Sequence, residues 1–92
     1  MEIGKVVGSV WATRKDEKLN GQKLLVVKLL NGKNVYKEGF LVAADNAGAG
    51  SGDLVLITKG SAARQSLEKN TAPVDATIVG IIDALEVEED KE

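Results

Sequence analysis

A chain of 92 residues has room for one domain with one hydrophobic core. With a single Trp, Tyr and Phe, that core must be mainly aliphatic. The absence of cysteine and histidine excludes a disulfide framework, a thiolate metal site and the commonest general base. Twelve basic residues against 14 acidic ones give a net charge of −2, without the positive field typical of nucleic-acid binding. No secretion signal and no apolar run of about 18 residues is present, so we expect a soluble cytoplasmic protein.

Apolar and β-branched runs predict five strands, at residues 3–13, 23–30, 35–44, 53–59 and 75–87. Gly4 and Gly8 suit a bent or bulged first strand. Asn31-Gly32 ends the second strand and is a strong signal for a tight hairpin. Gly39 interrupts the third strand.

One short helix is predicted before the last strand. Ser61 can cap its start, Asn70 lies near its end, and Pro73 blocks its continuation. Residues 1–87 are therefore predicted to form a single β-barrel domain, and the acidic residues 88–92 a disordered tail.

Five evenly spaced strands with one short helix before the last indicate an all-β fold. We predict a small, partly open five-stranded barrel of the oligonucleotide-binding (OB) type. A five-stranded sandwich is the alternative that the pattern leaves open.

Three strands carry apolar runs that do not alternate with polar residues, at 24–27, 54–57 and 78–82. Such strands offer apolar side chains to both faces of a sheet, whereas one barrel has a single interior. Strand ends and loops could cover part of the outer face, but only one short helix is available. We therefore expect another copy of the chain to cover it.

The most distinctive segment joins the third and fourth strands and has three glycines at alternate positions. It differs from a dinucleotide-binding motif, because the third glycine comes one position early and a strand follows instead of a helix. Phosphate binding is therefore not expected. Three glycines exceed the needs of a plain turn, which favours a close-packed loop where several chains converge. The loop comprises Gly48, Ala49, Gly50, Ser51 and Gly52.

No arrangement of side chains indicates catalysis. Ser61 and Ser66 have no histidine partner, which excludes a serine hydrolase. Asp45, Asp75 and Asp83 show no spacing that favours an acid–base pair, and Asp45 is expected to hydrogen-bond the loop backbone. We predict no catalytic residue, no cofactor and no metal site.

Single-stranded nucleic-acid binding by an OB-fold module is the alternative function. It would need exposed aromatic side chains on which bases stack. Trp11, Tyr36 and Phe40 are the candidates, and at least one of them is expected in the core.

Five blocks of the sequence match one family in order and spacing, at residues 1–15, 19–27, 42–50, 58–64 and 73–83. The most distinctive blocks read VAADNAGAG at 42–50 and TKGSAAR at 58–64. The chain thereby resembles the bacterial microcompartment vertex proteins, the ethanolamine-utilisation and carboxysome family known as EutN/CcmL.

The resemblance implies an OB-like barrel that assembles as a ring, a pentamer or else a hexamer. Flat layers of hexameric shell proteins cannot close a polyhedron, and five-fold units at its corners supply the curvature. The protein would then be a structural shell component in the bacterial cytoplasm. Its partners would be further copies of itself and hexameric shell proteins, with no nucleic acid and no membrane.

The resemblance also suggests roles for individual residues. The loop at 48–52 is expected at or near the ring axis. Ser61 and Arg64 match the family's Gly-Ser-x-x-Arg block and, with Asp45, are candidates for the subunit interface. For Arg64, an ordinary exposed helix position is the alternative. The loop at 14–20 is a candidate for contact with the hexameric proteins.

Overall fold

Five β-strands account for the regular structure of the residues that the computed structural model describes, which are 1–11, 21–32, 35–60 and 75–84. The strands are β1 (Glu2–Ser9), β2 (Leu24–Leu29), β3 (Leu41–Asp45), β4 (Leu54–Lys59) and β5 (Ala76–Ile81). All five predicted strands are thereby confirmed. The helix predicted to begin at Ser61, the predicted domain boundary at residue 87 and the tail at 88–92 lie outside the described residues.

The strands close into a barrel in the order β1-β2-β3-β5-β4, and β4 pairs with β1 to complete it. Neighbouring strands are antiparallel except β3 and β5, which pair in parallel through Ala44↔Thr77 and Asp45↔Ile78. The predicted small five-stranded barrel is confirmed and the sandwich is not formed, but the barrel is closed and not partly open as predicted, because the pairing of β4 with β1 leaves no sheet edge free. The predicted irregularity of the first strand is a shift of register between Val6 and Gly8.

Three strands are shorter than the sequence pattern suggests. β1 ends at Ser9, and the described residues 10 and 11 lie outside the strand. β3 begins at Leu41 and not at residue 35, because Gly39 takes a φ of 83° that a strand cannot contain. Before β3, Tyr36 forms an isolated antiparallel bridge with Leu30. β5 ends at Ile81, before the exposed Asp83.

The core is aliphatic, as the composition predicts. Its buried apolar residues are Val6, Leu25, Val27, Ala43, Ala49, Val55, Ile57, Ala76 and Ile78. Gly4 also faces inward and is buried, and a Cβ atom built on it would overlap Val27 Cγ1. The interior at this level of the barrel therefore has no space for even one more methyl group.

The prediction that at least one aromatic residue lies in the core is wrong. Trp11 is 93% exposed, and both Tyr36 and Phe40 also lie on the surface of the chain. Aliphatic side chains and Gly4 already fill the narrow interior of the barrel. A large aromatic side chain therefore does not fit there.

The outer face of the barrel is partly apolar. Leu24, Val26 and Leu56 alternate with buried neighbours along their strands and are half-buried in the single chain. The prediction that the strands offer apolar side chains to both faces is confirmed for β2 and β4. In the described part of the chain, no helix is long and apolar enough to cross a membrane.

Candidate functional site: the glycine loop

The glycine loop connects the end of β3 to the start of β4, and each end carries an aspartate. Asp45 is the last residue of β3, and Asp53 directly precedes β4. We use the name glycine loop for residues 46–53. Both aspartates turn their carboxylates toward the backbone N–H groups of the loop.

The Asp45 carboxylate holds the first half of the loop. Its side chain is 2% exposed, and its two oxygens accept hydrogen bonds from the N–H groups of Ala47 and Ala49, each at 3.0 Å. Aspartate commonly makes such bonds to backbone a few residues ahead in turns. The prediction that Asp45 hydrogen-bonds the loop backbone is confirmed.

Lys23, which directly precedes β2, holds the same half of the loop. Its Nζ donates a 2.8 Å hydrogen bond to the Ala49 carbonyl oxygen and lies 3.7 Å from Asp45 Oδ2. The Asp45 N–H in turn donates to the Lys23 carbonyl oxygen at 2.8 Å. Sequence reasoning did not identify Lys23 as part of the site. Its position in the sequence could have indicated this role. Lys23 lies one residue before β2, and the antiparallel pairing of β2 with β3 places it opposite the end of β3.

Asp53 and β1 hold the second half of the loop. Asp53 Oδ2 accepts a 2.8 Å hydrogen bond from the Gly50 N–H, and the Asp53 N–H donates to the Gly50 carbonyl oxygen at 3.1 Å. The Gly52 N–H donates to the Val6 carbonyl oxygen at 2.8 Å, and the Val6 N–H donates to the Asp53 carbonyl oxygen at 2.9 Å. The loop is therefore fixed to the barrel on both sides.

One side chain of the loop enters the core, and most of its other residues lie at the surface. Ala49 is buried in the hydrophobic core, whereas Gly48, Ser51 and Gly52 are exposed. The loop thus covers one part of the barrel and presents an outer surface that is mostly bare backbone. Such a surface allows another backbone to approach closely.

The backbone conformation favours glycine at two of the three glycine positions of the loop. Gly48 and Gly52 have φ angles of 78° and 93°, which other residues adopt at a cost. Gly50 has no such angle, and a Cβ atom built there would come no closer than 3.9 Å to a neighbouring atom, Asp53 Oδ2. The fold of the single chain therefore does not require glycine at position 50.

The candidate site residues divide into two groups. The loop at 48–52 and Asp45 are adjacent and joined by hydrogen bonds, whereas Ser61 and Arg64 lie outside the described residues. The Asp45 oxygens bond to their own loop, and its role at a subunit interface stays a prediction. Among the described residues, no group of three or more Asp and Glu side chains could hold a metal ion. The arrangement is that of a rigid surface loop.

The fold of this chain is shared with proteins of known structure. Residues 1–83 match the family described as ethanolamine utilisation protein EutN/carboxysome. The chain therefore belongs to the EutN/CcmL family of bacterial microcompartment vertex proteins.

Two relatives illustrate how completely the family resemblance covers the chain. The microcompartment shell vertex protein GrpN of Rhodospirillum rubrum is 45% identical over 86 residues, which are 94% of this chain and 97% of GrpN. The carboxysome shell vertex protein CcmL of a Nostoc species is 48% identical over 90 residues, 97% of this chain and 89% of CcmL.

Solved structures agree with the sequence relatives. The structure of GrpN, a pentameric microcompartment shell protein, has a TM-score of 0.85 and 44% identity, covering 95% of this chain and 99% of that one. The structure of Gloeobacter violaceus CcmL has a TM-score of 0.88 and 40% identity, covering 95% and 90% of the two chains.

Proposed function

We propose that this protein is a structural, non-catalytic shell component whose pentameric ring caps the vertices of a bacterial microcompartment. The observation that carries the proposal is the match to the pentameric shell protein GrpN across almost the whole of both chains. The apolar residues on the outside of β2 and β4 support it, because a ring buries surface that a single barrel exposes. As a shell component the protein belongs in the bacterial cytoplasm.

Native mass spectrometry of the purified chain at low micromolar concentration tests the ring. A closed pentamer of the 9.7 kDa chain has a mass of about 49 kDa. A hexamer would retain the shell family and contradict the vertex role for this member. A monomer would contradict self-assembly itself.

The glycine loop is proposed to lie at or near the five-fold axis, where backbones of all subunits converge. Gly50 supports this position, because the single chain has space for a side chain there and yet carries none. Close approach of a neighbouring subunit is a sufficient reason for glycine at such a position. Ser61, Arg64 and Asp45 are proposed as supports of the subunit interface near this loop.

Gly50→Val tests the position of the loop. The variant should fold as a barrel but fail to form a ring of normal size, since five added side chains would collide near the axis. Gly80→Ala is the control, because position 80 also lacks a positive φ and a Cβ there would contact Leu56 at an ordinary 3.6 Å. An intact Gly50→Val ring would count against the axial position.

The rim of the ring is proposed to contact hexameric shell proteins, with the loop at 14–20 as the candidate contact. Co-expression of the chain with a hexameric shell protein from the same bacterium tests this contact. Closed polyhedral shells are expected with the full chain. Replacement of Lys15 and Lys18 by Ser should leave the pentamer intact and reduce the yield of closed shells. Unchanged yield would place the contact elsewhere.

Nucleic-acid binding is supported by one observation, the exposure of all three aromatic residues. The net charge of −2 argues against it, because affinity for a polyanion comes mainly from clustered basic residues. Fluorescence anisotropy with a labelled single-stranded oligonucleotide at low salt distinguishes the two functions. We expect no binding, and salt-sensitive binding in the micromolar range would favour the alternative.

A further inference from the structure

The outer face of β1, β2 and β3 carries an apolar row that crosses all three strands. Gly8 pairs with Val26, and Val26 pairs with Val42, so these residues lie side by side on one face. Val7, at the register shift beside Gly8, is exposed as well. We refer to Val7, Gly8, Val26 and Val42 as the outer apolar row.

The fold of the single chain does not explain the glycine in this row. Gly8 has no positive φ, so the irregularity of β1 does not demand glycine there. A Cβ atom at this position would meet Val26 Cβ at 4.0 Å, which is an ordinary contact. Glycine weakens an outward-facing strand position that β-branched residues would stabilise. The close approach of a second backbone is a physical reason that accounts for it.

Two lysines border the outer apolar row. Lys5 and Lys28 are directly paired across β1 and β2, an arrangement of like charges that is unfavourable in a single chain. Lys28 Nζ lies 4.9 Å from the centre of the Phe40 ring, and neither lysine forms a salt bridge with any described residue. A complementary surface is therefore apolar at its centre and carries a carboxylate at its edge.

We propose that the outer apolar row is one of the two surfaces through which subunits of the ring contact each other. The occupant is a second copy of this chain, whose backbone approaches Gly8 and whose carboxylate faces Lys5 and Lys28. The proposal rests on the proposed ring. In such a ring each subunit uses two different surfaces, and the relative GrpN, 44% identical, is pentameric. Val42, 48% exposed in the single chain, becomes buried by the neighbour.

Val42→Glu tests this surface in the full chain. Glutamate costs little on the exposed face of a single barrel, but a buried carboxylate strongly opposes association. We expect a folded variant whose ring dissociates at a concentration at least about 100-fold higher than that of the wild type. Val35→Glu is the matched control. Val35 is 55% exposed, precedes β3 and lies outside the row, so its variant should remain pentameric.

Gly8→Val provides a second, independent variant. Because the single chain has space for its side chain, the barrel should fold while the ring dissociates. If one of the two variants fails to fold, the oligomeric state of the other variant tests the surface. Native mass spectrometry and circular dichroism of wild type and variants separate the outcomes. A pentameric wild type with normal rings in both folded variants would overturn this surface alone. A monomeric wild type would overturn the ring and this surface together.

Discussion

The ammonium group of Lys23 lies 2.8 Å from the carbonyl oxygen of Ala49, so a side chain that precedes β2 fixes the middle of the glycine loop. The Asp45 carboxylate, 3.7 Å from the same ammonium group, accepts a hydrogen bond from the N–H group of the same Ala49. The loop is thereby ordered in the single chain before any neighbour binds. Such preorganisation lowers the conformational entropy that association would otherwise cost.

Lys23→Met is expected to lower the free energy of unfolding by about 1 kcal/mol, the usual net value of one hydrogen bond. The ion pair with Asp45 should add little, because the Lys23 side chain is 57% exposed to solvent. Urea denaturation at one fixed protein concentration measures the loss. Lys23→Arg is the control, since it keeps the charge and the donors. Equal stability of Lys23→Met and the wild type would show that this hydrogen bond has no net value.

Asp45→Ala should be more damaging than Lys23→Met. It leaves the N–H groups of Ala47 and Ala49 without their acceptors in a largely buried place, which should cost about 2 kcal/mol or more. Asp45→Asn retains one acceptor oxygen and should be intermediate. Urea denaturation and faster hydrogen exchange of these two amides measure the effect.

Asp83→Asn is the matched control for Asp45→Asn, because Asp83 is exposed at the end of the described chain. Its stability should equal that of the wild type. If Asp45→Asn lost no more stability than Asp83→Asn, the Asp45 carboxylate would have no special role in holding the loop.

The features that the sequence predicts correctly depend on local patterns. Five strands follow from apolar runs. The hydrogen bonds that Asp45 accepts from the loop backbone follow from the tendency of aspartate to bond nearby N–H groups. The small five-stranded barrel follows from strand number and spacing, but its closure depends on the pairing of β1 with β4, which are far apart in the chain. The glycine loop is recognisable from its three glycines at alternate positions between two apolar strands.

The features that were missed depend on contacts between distant parts of the chain. Lys23 and Ala49 are 26 residues apart, and their bond exists only once β2 and β3 have paired. The surface positions of Trp11, Tyr36 and Phe40 follow from the narrow barrel interior, which becomes visible only when Gly4 is seen against its neighbours. Composition could indicate an aliphatic core but not the space available within it.

Gly4→Ala should test how tightly the interior is packed. Its Cβ would overlap Val27 Cγ1 and lie 3.2 Å from the Lys28 carbonyl oxygen, and backbone cannot yield easily. We expect a loss of about 1–3 kcal/mol, the usual cost of overpacking a core. Gly80→Ala, with its Cβ in ordinary contact with Leu56, should be neutral or stabilising by up to about 1 kcal/mol. Equal urea midpoints for the two variants would contradict the tight interior.

An ion cluster on the outside of the barrel leads to a prediction about pH. The Glu2 carboxylate lies 2.6 Å from Lys59 Nζ and 3.1 Å from Lys37 Nζ, so it joins the start of β1 to the end of β4 and to the connection before β3. The hydrogen bond from Lys59, followed by that from Lys37, holds the pKa of Glu2 below its ordinary value of 4.5.

Because the folded-state pKa of Glu2 is lowered, the cluster stabilises the barrel above pH 4.5 and loses this effect as pH falls through the folded-state pKa. Glu2→Gln should therefore cost stability at pH 7, by no more than about 1 kcal/mol, since both lysines are well exposed and salt screens the pairs. The difference between variant and wild type should shrink toward zero at acidic pH, where the native carboxyl is protonated too. Urea denaturation at pH 7 and at about pH 3 measures it, with Glu38→Gln at an exposed carboxylate as the control. A Glu2→Gln penalty of the same size at both pH values would mean that packing of the side chain, and not its charge, stabilises this part of the barrel.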